Sequence, residues 1–168
     1  MPQIERTACF TGHREIPTSK RRRIEKLLDE VIQYHITHGI IYYGTGGALG
    51  FDTMAAQAVI RARTMYPEIK LILVLPCRTQ ADRWSSEDKK VYESIKGQAD
   101  KVVYISEHYT KSCMFERNRH LVEHSSLCIC YQTKGTGGTA YTTDYAKSLS
   151  RTVVNIAVLE HEEQGYSK

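Results

Sequence analysis

The residues best suited to chemistry gather in three short runs. They are Thr11-Gly12-His13-Arg14, then Gly44-Thr45-Gly46-Gly47-Ala48-Leu49-Gly50-Phe51-Asp52, then Gly135-Thr136-Gly137-Gly138-Thr139-Ala140-Tyr141. Each follows a short apolar run and precedes a helix-like stretch. A strand that empties through glycines into a helix aims backbone N–H groups, and the positive helix end, at one spot. Such a spot suits an anion, most often phosphate. Plain strand-to-helix connections use the same glycines, so one turn decides little, and two in one small domain weigh more. The Gly44–Gly50 loop resembles a dinucleotide fingerprint only loosely, because its glycines follow the second strand. Arg14, Arg117 and Arg119 could add charge-assisted contacts to phosphate oxygens, and Arg78 belongs to the same group of candidates. A neutral His13 could bond a phosphate or merely fix its loop. Arg117, Asn118 and Arg119 could equally bond the last carbonyls of their own helix. Asp52 lies in a first helical turn, where a carboxylate could equally serve only to favour the dipole.

Composition sets the outer limits. At 168 residues, with 41% hydrophobic and 25% charged residues, the chain fits one soluble globular domain. Its net charge of +4 suits an anionic small molecule as well as nucleic acid. No apolar run approaches a membrane span, and the N-terminus lacks the apolar stretch of a signal peptide. The five cysteines form no CxxC pair and read as buried reduced thiols, which points to the cytoplasm. His120 and His124 stand four apart on a helix but lack the HExxH pattern, so a surface pair is expected and no metal.

The elements that must position these residues alternate. Strands are expected at Thr7–Phe10, Ile40–Tyr43, Lys70–Leu75 (closed by Pro76), Val102–Ile105, Leu127–Tyr131 and Val153–Ile156. Between them, helices start near Pro17-Thr18-Ser19, Phe51, Ser86, Thr110 and Gly138. Leu127–Tyr131 has the length of a strand buried on both faces. The fold class is α/β, a Rossmann-like three-layer sandwich with a mainly parallel sheet. Residues 1–159 form a single domain and 160–168 a polar, frayed tail. Function belongs in the crevice at the strand ends, where Thr11–Arg14, Gly44–Asp52, Arg78 and Gly135–Tyr141 would converge. Lys20-Arg21-Arg22-Arg23 reads as a solvated face, or as one or two cations reaching a bound phosphate.

The stretches CFTGHR, GGALGFDTMAA, DRWSSEDKKVYE and RNRHLVEHSSLCICY leading to GGTAYTTDYA appear in order over most of the chain. In these the sequence resembles the SLOG superfamily, a Rossmann-like group that includes the DNA-processing protein DprA and the Lonely Guy phosphoribohydrolases. Within it the likeness is to small bacterial YpsA-like proteins. The resemblance implies a nucleotide or nucleotide-derived ligand, such as ADP-ribose or NAD, with phosphate on Gly137-Gly138-Thr139. Gly46, Gly47 and Gly50 would belong to the same site, and Tyr141 to its edge. Asp52 would bond ribose hydroxyls, and Tyr131 or Trp84 would pack a base. In the Lonely Guy enzymes an arginine and a glutamate perform hydrolysis. Arg117 takes the arginine position here, but the glutamate position falls on Thr142. Asp144 points about 200° away from Thr142 around the helix, which leaves Asp52 as the substitute acid. Three functions follow. The first is binding or sensing of a nucleotide, reported to a protein partner or through a homo-oligomer. The second is an N-glycoside hydrolase with Asp52 and Arg117 catalytic. The third, single-stranded DNA binding as in DprA, is disfavoured by the modest charge.

Overall fold

The computed structural model describes residues 3–166. Six strands and six α-helices alternate: β1 Thr7–Gly12, α1 Arg21–Thr37, β2 Tyr42–Thr45, α2 Phe51–Ala62, β3 Lys70–Cys77, α3 Ser86–Gln98, β4 Lys101–Ser106, α4 Cys113–Glu123, β5 Leu127–Tyr131, α5 Gly138–Ser148, β6 Thr152–Asn155 and α6 Ile156–Tyr166. All pairings are parallel, in the order β4-β3-β2-β1-β5-β6. The three-layer α/β architecture is the expected one. From β1 the chain steps one way across the sheet to β4, then returns through α4 to β5 on the other side of β1. Right-handed crossovers in opposite directions place their helices on opposite faces. Thus α1, α2, α3 and α6 cover one face, and α4 and α5 the other.

The core has two unequal halves. The larger packs α1 and α2 onto the sheet through Phe10, Ile24, Leu28, Tyr43, Phe51 and Leu71. The smaller lies under α4 and α5 and holds Cys9, Cys128, Leu121, Val122 and Ala146. All five residues of β5 are buried, as a strand covered on both faces requires.

Register decides what meets at the edge. Thr11 and Gly12 lie level with Cys130 and Tyr131, and Cys9 with Gly44. The loops after β1, β2 and β5 therefore open at one carboxyl edge, at the point where strand order reverses.

Several boundaries differ from expectation. Pro76 lies inside β3, beyond Leu73, the last β3 residue paired with β2, and carries no ladder partner of its own. Thr18 and Ser19 do not begin α1 but form a 3₁₀ turn that runs into it. Ile156 opens α6 rather than closing a strand, and α6 runs straight across the expected boundary between 159 and 160. Glu160 is 3% exposed and pairs with Lys20 at 3.6 Å, so the chain is docked at that position. Among the described residues no helix is long and apolar enough to cross a membrane.

Candidate functional site

The site is built outward from α5. Gly137, at φ +96°, turns the chain into this helix, and no side chain caps it. The first amides of an uncapped helix lack intrahelical partners, and here Gly137, Gly138 and Thr139 line a cavity of about 380 Å³. The opposite wall is the β1 loop from Thr11 to Arg14, and Ala48, Asp52, Arg117 and Asn118 line it too. Arg14 and Lys134 stand at its exposed rim. The cavity thus joins open N–H groups, two rim cations and a buried Asp–Arg couple.

Arg117 is only 6% exposed. Its Nη1 donates to the Gly46 carbonyl at 2.7 Å and its Nε to Asn118 Oδ1 at 2.7 Å. Burial lowers its pKa, and the nearby Asp52 charge opposes that shift. Asp52 Oδ2 accepts the Ala48 N–H at 3.2 Å. Burial pushes the Asp52 carboxyl up to about 6, although Arg117, the Ala48 N–H and Arg14 all pull it down. A carboxyl held there can change protonation near neutral pH. His13 Nε2 accepts the Thr133 N–H at 2.9 Å. A backbone donor at Nε2 assigns the proton to Nδ1 and a neutral ring. Desolvation first, then Lys134, lowers the His13 pKa and supports that state.

Ten of the expected ligand-binding residues line this cavity: Thr11, Gly12, His13, Arg14, Asp52, Arg117, Asn118, Gly137, Gly138 and Thr139. The others lie elsewhere. Gly46 sits beneath Arg117, where a Cβ would collide with the guanidinium. Gly47, at φ +69°, packs on Leu75, with a Cβ there only 2.6 Å from Leu75 Cδ2. Gly50, at φ +78°, presses on the carbonyl groups of His13 and Arg14. These three glycines serve close packing rather than the cavity wall. Arg78 turns away, bonding Glu107 at 2.7 Å and lying over the Tyr104 ring. Arg119 is exposed, over the Tyr145 ring and 3.9 Å from Glu123. Tyr131 is buried flat against Phe51, beneath His13, so no base can reach its face. Tyr141 does not line the cavity but lies beside its wall residue Phe115, edge to face at 5.0 Å. Trp84 lines a different cavity. Thr142 is buried and donates to the Gly138 carbonyl at 2.8 Å, while Asp144 is exposed.

The geometry has its counterpart in sequence. A family model described as the YspA SLOG family, YpsA, matches residues 10–163. The chain belongs to that family. Similar relatives include the SPbeta prophage-derived protein YoqJ of Bacillus subtilis (strain 168), 29% identical over 136 residues, which span 73% of this chain and 79% of that one. A UPF0398 protein of Bacillus cereus (strain G9842) is 28% identical over 127 residues, 74% of this chain and 69% of its own. Two solved structures share the fold. DNA processing protein A of Helicobacter pylori superposes with a TM-score of 0.66 at 19% identity, over 95% of this chain and 72% of that one. DprA of Streptococcus pneumoniae gives 0.65 at 19%, over 89% of this chain and 49% of that one. The Helicobacter pylori structure concerns that protein's single-stranded DNA binding mode.

In this YpsA-family chain, the cavity residues that the sequence did not single out are Met114, Phe115 and Lys134. Lys134 carried a usable signal, since it is the cation directly before the Gly135 turn. Gln80 carried none. Its amide donates to the Gly47 carbonyl at 3.0 Å, and Arg117 Nη1 donates to its oxygen at 3.5 Å, contacts made across more than thirty residues.

Proposed function

We propose that this protein binds a nucleotide or nucleotide-derived ligand, of the class of AMP, ADP-ribose or NAD, with a phosphate at the start of α5. The observation that carries this reading is the uncapped α5 N-terminus opening into a cavity rimmed by Arg14 and Lys134. Helix-end amides and flanking cations are the usual means of holding phosphate. Asp52 and Asn118 supply polar partners for sugar hydroxyls. In this reading the protein is cytoplasmic and reports ligand state to a protein partner or to a second copy of itself.

Calorimetry with AMP, ADP-ribose and NAD tests it. At least one compound is expected to bind, and Lys134→Glu to weaken that binding about tenfold or more, the loss of one charge-assisted contact and its replacement by repulsion. Absence of heat with all three compounds would overturn the reading.

A second reading, hydrolysis of an N-glycosidic bond, is favoured by the placement of Asp52. A carboxyl near pH 6 in the cavity wall can serve as acid or base in such a reaction. Thr142, engaged with its own helix, leaves the Lonely Guy route without its glutamate. Release of free base from the same compounds, abolished by Asp52→Asn, would convert the binding reading into this one. For single-stranded DNA the features are thinner. One exposed aromatic pair, Phe115 and Tyr141, flanks the cavity, whereas such binding uses a basic groove with successive stacking platforms.

A further inference from the structure

A second cavity, of about 670 Å³, shares Met114 as a wall with the α5 cavity. Trp84, Tyr109, Arg83 and Gln80 line it. Gln80 also touches Arg117 and the Gly46 and Gly47 carbonyls, so these side chains stand with the Gly46-Gly47 backbone where the two spaces meet. Met114 joins them, with its sulfur 3.8 Å from Arg117 Nη2. An unbranched thioether adapts readily to a neighbour of changing shape.

The walls of the second cavity suit a flat ring. Trp84 is half-buried and held edge-on against Tyr92 at 5.2 Å. Tyr109 is 64% exposed and can fold over whatever lies beside it. Arg83 has no hydrogen bond or ion pair among the described residues, so its guanidinium is available to stack on a ring or meet a polar edge. Behind Trp84, Tyr92 is 7% exposed and its hydroxyl has no hydrogen-bond partner among the described residues. Buried hydroxyls are normally satisfied.

From these features we infer that the Trp84 cavity receives the base of the ligand whose phosphate lies at α5, so that one nucleotide reaches past Met114 into both spaces. This rests on the nucleotide reading above. It makes the ligand a nucleoside phosphate rather than a sugar phosphate or free phosphate.

Trp84 is the chain's only tryptophan, so its emission reports this cavity alone. Titrations with AMP, with ADP-ribose and with inorganic pyrophosphate, each followed by calorimetry and by fluorescence, test the inference. The nucleotides are expected to quench Trp84 at the concentrations where heat is released, and pyrophosphate to bind without quenching. Trp84→Leu is expected to weaken nucleotide binding about tenfold, in line with the loss of one stacked base, and to leave pyrophosphate unchanged. Tyr109→Ala, at an exposed position, should weaken nucleotides in the same direction and guards against a Trp84→Leu variant that fails to fold. Nucleotide heat with unchanged emission and unchanged affinity in both variants overturns the base site while the phosphate reading stands. Equal quenching by pyrophosphate also overturns it. Silence from every compound in calorimetry removes both.

Discussion

Asp52 shows how a single residue can serve a site and weaken a fold. In the unfolded chain it ionises near the usual 3.8, and in the folded protein near 6, because burial disfavours its charge. Below pH 3.8 both states are protonated and the burial carries no penalty. Between those values the unfolded state loses its proton first, so stability falls as pH rises. Above about pH 6 the full penalty is present, about 3 kcal/mol for a shift of that size. Asp52→Asn keeps an oxygen for the Ala48 N–H and removes the charge. It is expected to raise the melting temperature by about 5 °C or more at pH 7.5, and by less than about 1 °C at pH 4. Thermal melts of both proteins at the two pH values check this, and an equal gain at both would count against the burial argument. A carboxylate retained against such a penalty is what a binding site, rather than a core, requires.

At the level of elements, the two glycine turns look alike in sequence and act differently. The β2–α2 turn is a packing device. Gly50 combines a left-handed φ with backbone carbonyls where a Cβ would stand. Neither the strain nor the clash can be relieved by a rotamer change, so Gly50→Ala is expected to destabilise by about 3 kcal/mol, or about 10 °C in melting temperature. The β5–α5 turn is open. A Cβ at Gly138 meets nothing within 4 Å, and its φ is not in the left-handed region. Gly138→Ala should therefore leave stability within about 0.5 kcal/mol, while its methyl group beside the α5 amides weakens phosphate binding about tenfold. Melting curves and calorimetry on the two variants separate the roles. The reverse pattern, with stability lost at Gly138 and binding lost at Gly50, would refute the assignment.

Over the whole molecule, parallel strands that step both ways from β1 bring the loops after β1, β2 and β5 to one crevice and put every cysteine inside. Cys9, Cys77, Cys113, Cys128 and Cys130 are all free and buried. Burial raises the Cys130 thiol to about 12, and the bond and proximity to Cys9, with burial, raise Cys128. Thiols that are both inaccessible and protonated do not attack reagents. Ellman's reagent is expected to count close to none in the native protein and all five in denaturant. Rapid native labelling of two or more would mean that the sheet opens far more readily than its packing implies.

Periodicity and glycine placement were enough to read α/β alternation, the buried β5 and a helix starting at Gly138, because these follow from local geometry and from a side chain's preference for one face. The same reading brought Thr11–Arg14, Asp52 and the Gly137 turn to one crevice, together with Arg78, which the structure turns away, and it was the family resemblance that gave Arg117 a place there. Residue type and spacing alone could not separate Arg117 from Arg78 and Arg119, nor tell which glycines face a ligand and which face a neighbouring chain segment. Those outcomes depend on contacts between residues far apart in the chain, 29 positions for Arg78 and Glu107 and 71 for Arg117 and Gly46. Only the folded sheet buries Arg117 against Gly46, sends Arg78 to Glu107, flattens Tyr131 beneath His13 and docks Glu160 against Lys20. Spacing along a chain fixes which way a side chain points from its own element, and the packing of distant elements fixes what it then meets.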